Sequence, residues 1–531
     1  MKKFNVLIFT LILSLQIFAQ NKFQMSFAQT GKDYNSFNSI KRLADGYMLV
    51  GTTGSTTTSL NDMLLVKTDF NLNIVWSKVI GTGSVDEKIE YLSKCVVFEA
   101  DGIVVLGNTM QPGTRDFLLT KLDYSGGVRW SKSYGFPISG SNYNDNASTL
   151  CKTTNGYYLC GYLNTATTGY GLIIKVDTSG VQQWSKSFIP LTGATCTLWS
   201  GVGLKNNDLV VGGGYGNGAW DSYLMYITST GTIKWQKNFI ATNYDIIYDI
   251  AEDQNNSILC AMMHDGFYAG SRGALLNADI TTGAVNWAKT FDLDLVNDRD
   301  GQLCNVIKNP DNTTMIAFIY SNVAAGSFKQ DIVIAKLDAG ANIIWAKKYG
   351  TSDADTWPKL FPNGDSYLIA TDKANNRSAA EQFYLLGLNS DGGAGCNETA
   401  LAPVVTTLTG YQWLDFSTSL QTVTPTVATQ ILTATTPSVI NKNVLCINIG
   451  INATKNDAAG YNTPYKIAPN PSSNEINIIS EKTIFDIEII NTLGQVLAKH
   501  QSGNSVQISE LPTGAYILKI NNRDYLRFIK E

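Results

Sequence analysis

The chain reads as an all-β protein, on three observations. Charged residues make up only 16% of 531, against 46 glycines and 25 tyrosines, a balance that favours strands and tight turns over solvated helices. A Trp-x-Lys signature recurs at Trp76, Trp130, Trp184, Trp235, Trp287 and Trp345, with spacings of 54, 54, 51, 52 and 58 residues. That period suits a four-stranded repeat and exceeds the period of helical solenoids. Between the signatures lie short apolar or branched runs bounded by Gly and Asp, the pattern of strands and turns.

Each tryptophan follows a hairpin. In one repeat, Asp116 to Asp123 makes a strand, Tyr124-Ser-Gly126 the turn, and Val128 to Trp130 the start of the next strand. Gly126, Gly180, Gly231 and Gly283 stand where such a turn needs a positive φ. A second short strand is expected upstream in every repeat, at 47–51, 103–107, 157–161, 209–213, 258–262, 314–318 and 366–371, one more than the tryptophan count. The last repeat continues through 383–388 and lacks its Trp strand, whereas 23–31 at the other end of the chain reads like that missing strand. The expectation is a seven-bladed β-propeller over residues 21–395, closed by pairing 24–31 with 383–388, because an open final blade would leave strand edges exposed. The tryptophans are expected to pack between neighbouring blades, and the lysines two positions on to form a solvated outer face.

The ends of the chain differ from its middle. Lys2 and Lys3, an apolar run from Val6 to Phe18, and Ala19-Gln20 have the layout of a signal peptide over residues 1–20. The run is too short for a bilayer that needs about 20 residues, and the mature chain is expected to hold no transmembrane segment. Residues 396–464, rich in Thr, Val, Ser and Pro from Ala402 to Asn443, read as a linker or a flap closed by a disulfide between Cys396 and Cys446. Residues 465–531 return to short alternating strands and turns, as in a small β-sandwich.

Composition also limits the chemistry. The net charge is −4, and −6 once Lys2 and Lys3 are removed, so nothing attracts nucleic acid. Eight cysteines without CxxC spacing and two histidines argue against a zinc site. An exported chain permits disulfides, and Cys151 and Cys160, on consecutive strands, are expected to lie within bonding reach. Nucleophilic catalysis needs an imidazole base, and only His264 and His500 exist; His500 lies in the C-terminal segment 465–531, and His264, beside Asp265 at a strand end, reads as a loop or core histidine. Asp292, Asp294, Asp298 and Asp300 could offer oxygen ligands to calcium, but Arg299 sits among them and the spacing is not that of an EF-hand. No catalytic, cofactor-binding or metal-binding residue is assigned, and no cofactor is expected.

Three resemblances refine this reading. Units such as Asp45-Gly-Tyr-Met-Leu-Val-Gly51 and Lys121-Leu-Asp123 resemble the Gly-, Asp- and Trp-rich propeller repeat of secreted proteins from bacteria with a type IX secretion system, over roughly 24–395. That resemblance implies architecture and no substrate. Residues 278–287 are similar to a quinoprotein propeller repeat, and 351–357 to the Asp-box of sialidase propellers, but neither pattern is sustained. Pro469-Asn-Pro471, Asn491-Thr-Leu-Gly-Gln495, Leu511-Pro-Thr-Gly-Ala-Tyr516 and Arg527-Phe-Ile-Lys530, in that order, resemble the type A sorting domain of the same secretion system. This implies that the type IX machinery is a partner through residues 465–531 and that the product is secreted or held at the outer-membrane surface. The functional expectation is a binding or scaffolding propeller with a glycan or protein ligand. Its alternative is an extracellular glycan-active enzyme with a carboxylate pair in the funnel.

Overall fold

The computed structural model describes residues 21–531 except 56–59, 90–93, 112–113, 137–143, 165–167, 191–193, 217, 242–243, 255, 267–271, 294–300, 323–328, 351–353, 365, 375–380, 438, 450–464, 481–482, 492–495, 501 and 522–523. The expected leader and most of the acidic loop after Asp292 lie outside the described residues. Every regular element among the described residues is a strand. The chain divides into two compact units, one spanning Lys22–Ile447 and another that includes Asn448–Glu531.

The larger unit consists of repeated four-stranded antiparallel sheets that resemble propeller blades, each laid down in chain order. The first holds Tyr34–Leu43, Gly46–Gly54, Asn61–Thr68 and Ile74–Gly81. Next come sheets covering 87–135 and 144–188, joined by a single parallel contact between Asn144 and Arg115. Further sheets cover 195–240, 246–292 and 301–349. The last combines Ala354–Asn363, Ser366–Ala374 and Glu381–Leu388 with Asn21–Gln29. Middle strands are buried on both faces, as at Met48, Leu49 and Val50 or Leu64, Leu65 and Val66, because other sheets cover them on each side.

The first strand of this unit pairs with one of its last. Phe23, Met25 and Phe27 lie opposite Gly387, Leu385 and Phe383 in an antiparallel ladder. Phe37 stacks on Phe383 and meets Phe27 edge-on, which ties the added strand to the first sheet as well. The first strand of each sheet also touches that of the next, and Ala354–Asn363 touches Tyr34–Leu43.

The tryptophan and glycine of the repeat are two halves of one contact. A Cβ on Gly180, Gly283 or Gly392 would come within 2.9, 2.8 or 2.6 Å of the rings of Trp130, Trp235 and Trp345 in the preceding sheets. Trp184, Trp235 and Trp345 donate their indole N–H to the carbonyls of Ser229, Ile280 and Ser390, in the turns that hold Gly231, Gly283 and Gly392, at 3.0, 2.8 and 3.1 Å. Inter-sheet packing is therefore what the repeated tryptophan does.

Two expectations need correction. Segment 398–449 is not a free tether: it adds one strand to the outer edge of each sheet, in reverse chain order. Glu398–Leu401 pairs with Ile343–Tyr349, Val404–Thr407 with Val285–Asp292, and Gln412–Asp415 with Ile233–Ile240. Gln421–Thr422, Thr426–Thr429 and Thr433–Thr435 follow on Gln182–Phe188, Val128–Gly135 and Ile74–Gly81, and Ile440–Ile449 completes the sheet at Asn21–Gln29. The repeated lysines are accordingly not all solvated, since Lys186 donates to Thr422 at 2.8 Å and Lys237 pairs with Asp415 at 2.6 Å. Cys151 lies opposite Tyr158 and Cys160 opposite Thr149, which makes them diagonal neighbours on one face with their thiols in contact, and both are free.

The smaller unit has two antiparallel sheets. Tyr465–Ala468, Glu475–Ser480 and Ser505–Gln507 form one, while Val496–His500, Ile487–Asn491, Gly514–Ile520 and Asp524–Lys530 form the other. Ile476, Ile478 and Val506 of the first pack with Ile487, Ile489, Leu518 and Phe528 of the second. That shared core is the expected sandwich.

Candidate functional site

The first strands share a defect at the same level. Their ladders shift register at Phe37/Ser39, Ala147/Thr149, Leu198/Ser200, Ile247/Asp249, Leu303/Asn305 and Thr356/Lys359. Each shift leaves an extra residue: Asn38, Ser148, Trp199, Tyr248, Cys304, and Trp357 with Pro358. The sheet 87–135 has no continuous first strand; Lys94 and Cys95 stand between its Glu87–Lys88 and Val96–Phe98 pieces. An extra residue bends a strand and re-aims its side chains, which is how bulges furnish sites.

These residues interlock. Cys95 N–H donates to Asn38 Oδ1 at 3.3 Å, and Cys95 Sγ to the Ser148 carbonyl at 3.0 Å. On the other side an aromatic series runs Tyr162, Trp199, Tyr248, Trp357, with ring centroids 5.9, 6.1 and 5.4 Å apart. Trp357 has φ of 52°, an uncommon backbone state for a bulky residue.

Beside Tyr248 and Trp357 lies a small hollow, whose lining includes Lys94, Asp249, Asn305 and Lys359. Asp249 is its anchor. One carboxylate oxygen accepts from Ser200 Oγ at 3.2 Å and Ile250 N–H at 2.9 Å; the other accepts from Asn305 Nδ2 at 2.8 Å and Val306 N–H at 2.9 Å. Lys94 Nζ reaches that second oxygen at 2.8 Å, from a sheet that does not adjoin the one bearing Asp249 in chain order. A carboxylate so fully engaged holds the lining together and has little capacity left for proton transfer. Burial pushes the Tyr248 hydroxyl and the Cys304 thiol up, with Asp249 adding to the effect on Cys304, so that thiol is not a ready nucleophile. Trp357 and Lys94 are the partly exposed members of the lining, whereas Tyr248 and Lys359 are buried, so the hollow presents one indole and one ion-paired ammonium group.

Residues 466–530 match the family model described as a secretion system C-terminal sorting domain. The smaller unit is a type IX sorting domain. The chain that carries it is accordingly a secreted or outer-membrane surface protein, and no helix among the described residues is long and apolar enough to cross a membrane. No curated protein matches the chain. Among solved structures it is similar to quinohemoprotein alcohol dehydrogenase from Comamonas testosteroni, at 10% identity and a TM-score of 0.39 over 70% of this chain and 78% of that one. A puromycin hydrolase gives 11%, 0.42, 69% and 53% in the same order. The polysaccharide lyase Uly1 gives 9%, 0.36, 67% and 90%. None of these likenesses brings an activity to this chain.

The residues weighed in the sequence fall elsewhere. His264 ends the strand Ser257–His264, with Nδ1 2.6 Å from Asp245 Oδ1 and Phe239 edge-on to its ring. His500 belongs to the sorting domain. Asp355 is buried on Ala354–Asn363.

Sequence reasoning missed a set of buried acids where the third strand of one sheet faces the first strand of the next. Burial, with Asp62 adjacent, pushes Glu87 up to about 7. Burial pushes Asp145 up to about 8, with Asp116 adding to it, and Asp221 up to about 6, with Asp245 adding to it. Their signal was present as an Asp near the start of third strands, at Asp62, Asp116 and Asp221, but only the fold shows what each faces.

Proposed function

We propose that this protein is a secreted or cell-surface binding propeller of seven blades, exported by the type IX machinery after loss of a signal peptide over 1–20, and that a glycan segment seats in the hollow beside Tyr248 and Trp357. The observation that carries the reading is the aromatic series raised on bulged first strands, flanked by Lys94 and Lys359. Stacking on an indole face suits a sugar ring, and cationic N–H groups suit its oxygens. Sorting to the cell exterior places such a surface among extracellular polymers.

The test is a polysaccharide array probed with the full chain and with Trp357→Ala. Binding that falls at least about tenfold in the variant supports the reading, since a stacked aromatic contributes on the order of 1 kcal/mol or more. Equal binding by both forms removes the hollow from the account. Release of fragments from a bound glycan would make the protein an enzyme, although the lining of the hollow contains the single carboxylate Asp249 and hydrolysis by a carboxylate pair needs two.

A further inference from the structure

The strands of 398–449 visit the sheets in strict reverse order, skip none, and finish on the sheet that adjoins their starting point. We propose that residues 396–449 are a belt, fastened by a disulfide between Cys396 and Cys446, that holds the repeated sheets as one body and blocks their outer edges. Cys396 is disulfide-bonded, six other cysteines are free, and the sequence has eight, which leaves Cys446 as the partner.

The two ends of the belt converge on one strand. The Cys396 carbonyl accepts from Gln24 Nε2, and Asn397 Nδ2 donates to Gln24 Oε1 at 3.2 Å, both on Asn21–Gln29. The last belt strand, Ile440–Ile449, lies along the outer side of that same strand, where Thr30 N–H donates to the Val439 carbonyl at 2.9 Å. Cysteines 396 and 446 therefore sit at the buckle, and the covalent loop between them encircles the outer edges.

Such a fastening matters because each belt strand is weak alone. Most are two to four residues long and largely exposed, as along Thr426–Thr429. Their apolar anchors are single side chains spaced along the belt: Leu408, Leu432 and Ile440 are buried, Trp413 meets Phe239 edge-on, and Tyr411 stacks on Phe239 at 4.7 Å. Short edge strands without a hydrophobic face fray readily, and closing the loop removes much of the entropy that peeling would gain. A peeled belt would leave unpaired edges able to accept strands from a second copy of this chain.

The experiment uses the full chain in three forms: wild type, wild type treated with dithiothreitol, and Cys396→Ser/Cys446→Ser. Treatment reduces the disulfide to two thiols while dithiothreitol is oxidised to its cyclic disulfide. Both unfastened forms should melt roughly 5 °C lower, be cut by proteinase K within 398–449 on the order of tenfold faster, and form dimers or larger species in size-exclusion chromatography. Leu414→Pro/Val427→Pro, at two exposed belt positions, should produce the same early cleavage with the disulfide intact. Should the cysteine variant fail to fold, the reduced wild type answers the question alone. Unchanged melting and an unchanged cleavage map after reduction would overturn the proposal, as would mass mapping that joins Cys396 to another cysteine. None of these readouts depends on glycan binding.

Discussion

Lys94 Nζ lies 2.8 Å from Asp249 Oδ2, an ion pair between sheets that are not consecutive in the chain. The carboxylate is buried and the lysine partly exposed, so the two halves of the pair are not equivalent. Asp249→Ala removes the acceptor for three side chains and two backbone N–H groups and should destabilise the protein by about 3 kcal/mol. Lys94→Ala leaves a carboxylate that four donors still satisfy, and its cost should be smaller, about 1 kcal/mol after solvent screening. Urea unfolding of both variants checks the order; a Lys94 variant that loses more than the Asp249 variant would contradict it.

The acid Asp145 makes stability depend on pH in an unusual direction. Its folded-state pKa is raised to about 8 by burial, with Asp116 nearby, above an ordinary value of 3.8. Between those values the folded state holds the extra proton, so this contribution is complete below pH 4 and is lost as pH rises through 8. Asp145→Asn carries no charge at any pH and can still accept the Phe136 N–H that reaches Asp145 Oδ2 at 3.1 Å. The variant should therefore match wild type near pH 3 and exceed it by on the order of 1 to 3 kcal/mol or more near pH 9. Melting curves at the two pH values decide this, and parallel curves would show that the site is not buried in solution.

Trp235 is the most buried tryptophan of the repeat, at 9% exposure, and it caps the turn at Gly283. Trp235→Ala should cost about 3 to 5 kcal/mol through the lost ring and the orphaned Ile280 carbonyl. Gly283→Ala attacks the same contact from the other side, since φ there is 70° and the new methyl would stand 2.8 Å from the indole. Because both changes break one contact, the double variant should lose clearly less than the sum of the singles. Additive losses in a denaturant cycle would separate the two residues.

That contact also explains what was legible in the sequence. Trp235 and Gly283 are residue types that few other positions tolerate, so their recurrence reported both the strand and the turn. The strand Asn21–Gln29 was readable for a similar reason, since Phe23, Met25 and Phe27 alternate as a half-buried strand does. Belt residues such as Thr426–Thr429 have no buried side to alternate with, and their pairing is made by backbone groups that any residue supplies. The hollow was hidden too. Nothing in the local sequence marks Trp199, Tyr248 and Trp357 as bulged, and Lys94 meets Asp249 only because distant sheets converge.

Export gives the last prediction, because the sorting domain and the repeated sheets are separate compact units with separate cores. Removing residues 465–531 deletes the core of Ile476, Ile487, Leu518 and Phe528 and leaves every strand of the larger unit in place, including Ile440–Ile449. The truncated protein should keep the melting transition of the larger unit to within about 2 °C, since each unit has a core of its own. It should also accumulate in the periplasm, as it lacks the region that matches the sorting family. Cell fractionation together with calorimetry reads both effects. A truncation ending at residue 397 is the contrasting control: it removes the belt as well, uncovers the outer edge of each sheet, and should aggregate where the longer form stays monomeric. Normal export of the 465–531 deletion would detach sorting from this domain, and a collapse of its melting transition would show that the two units fold as one.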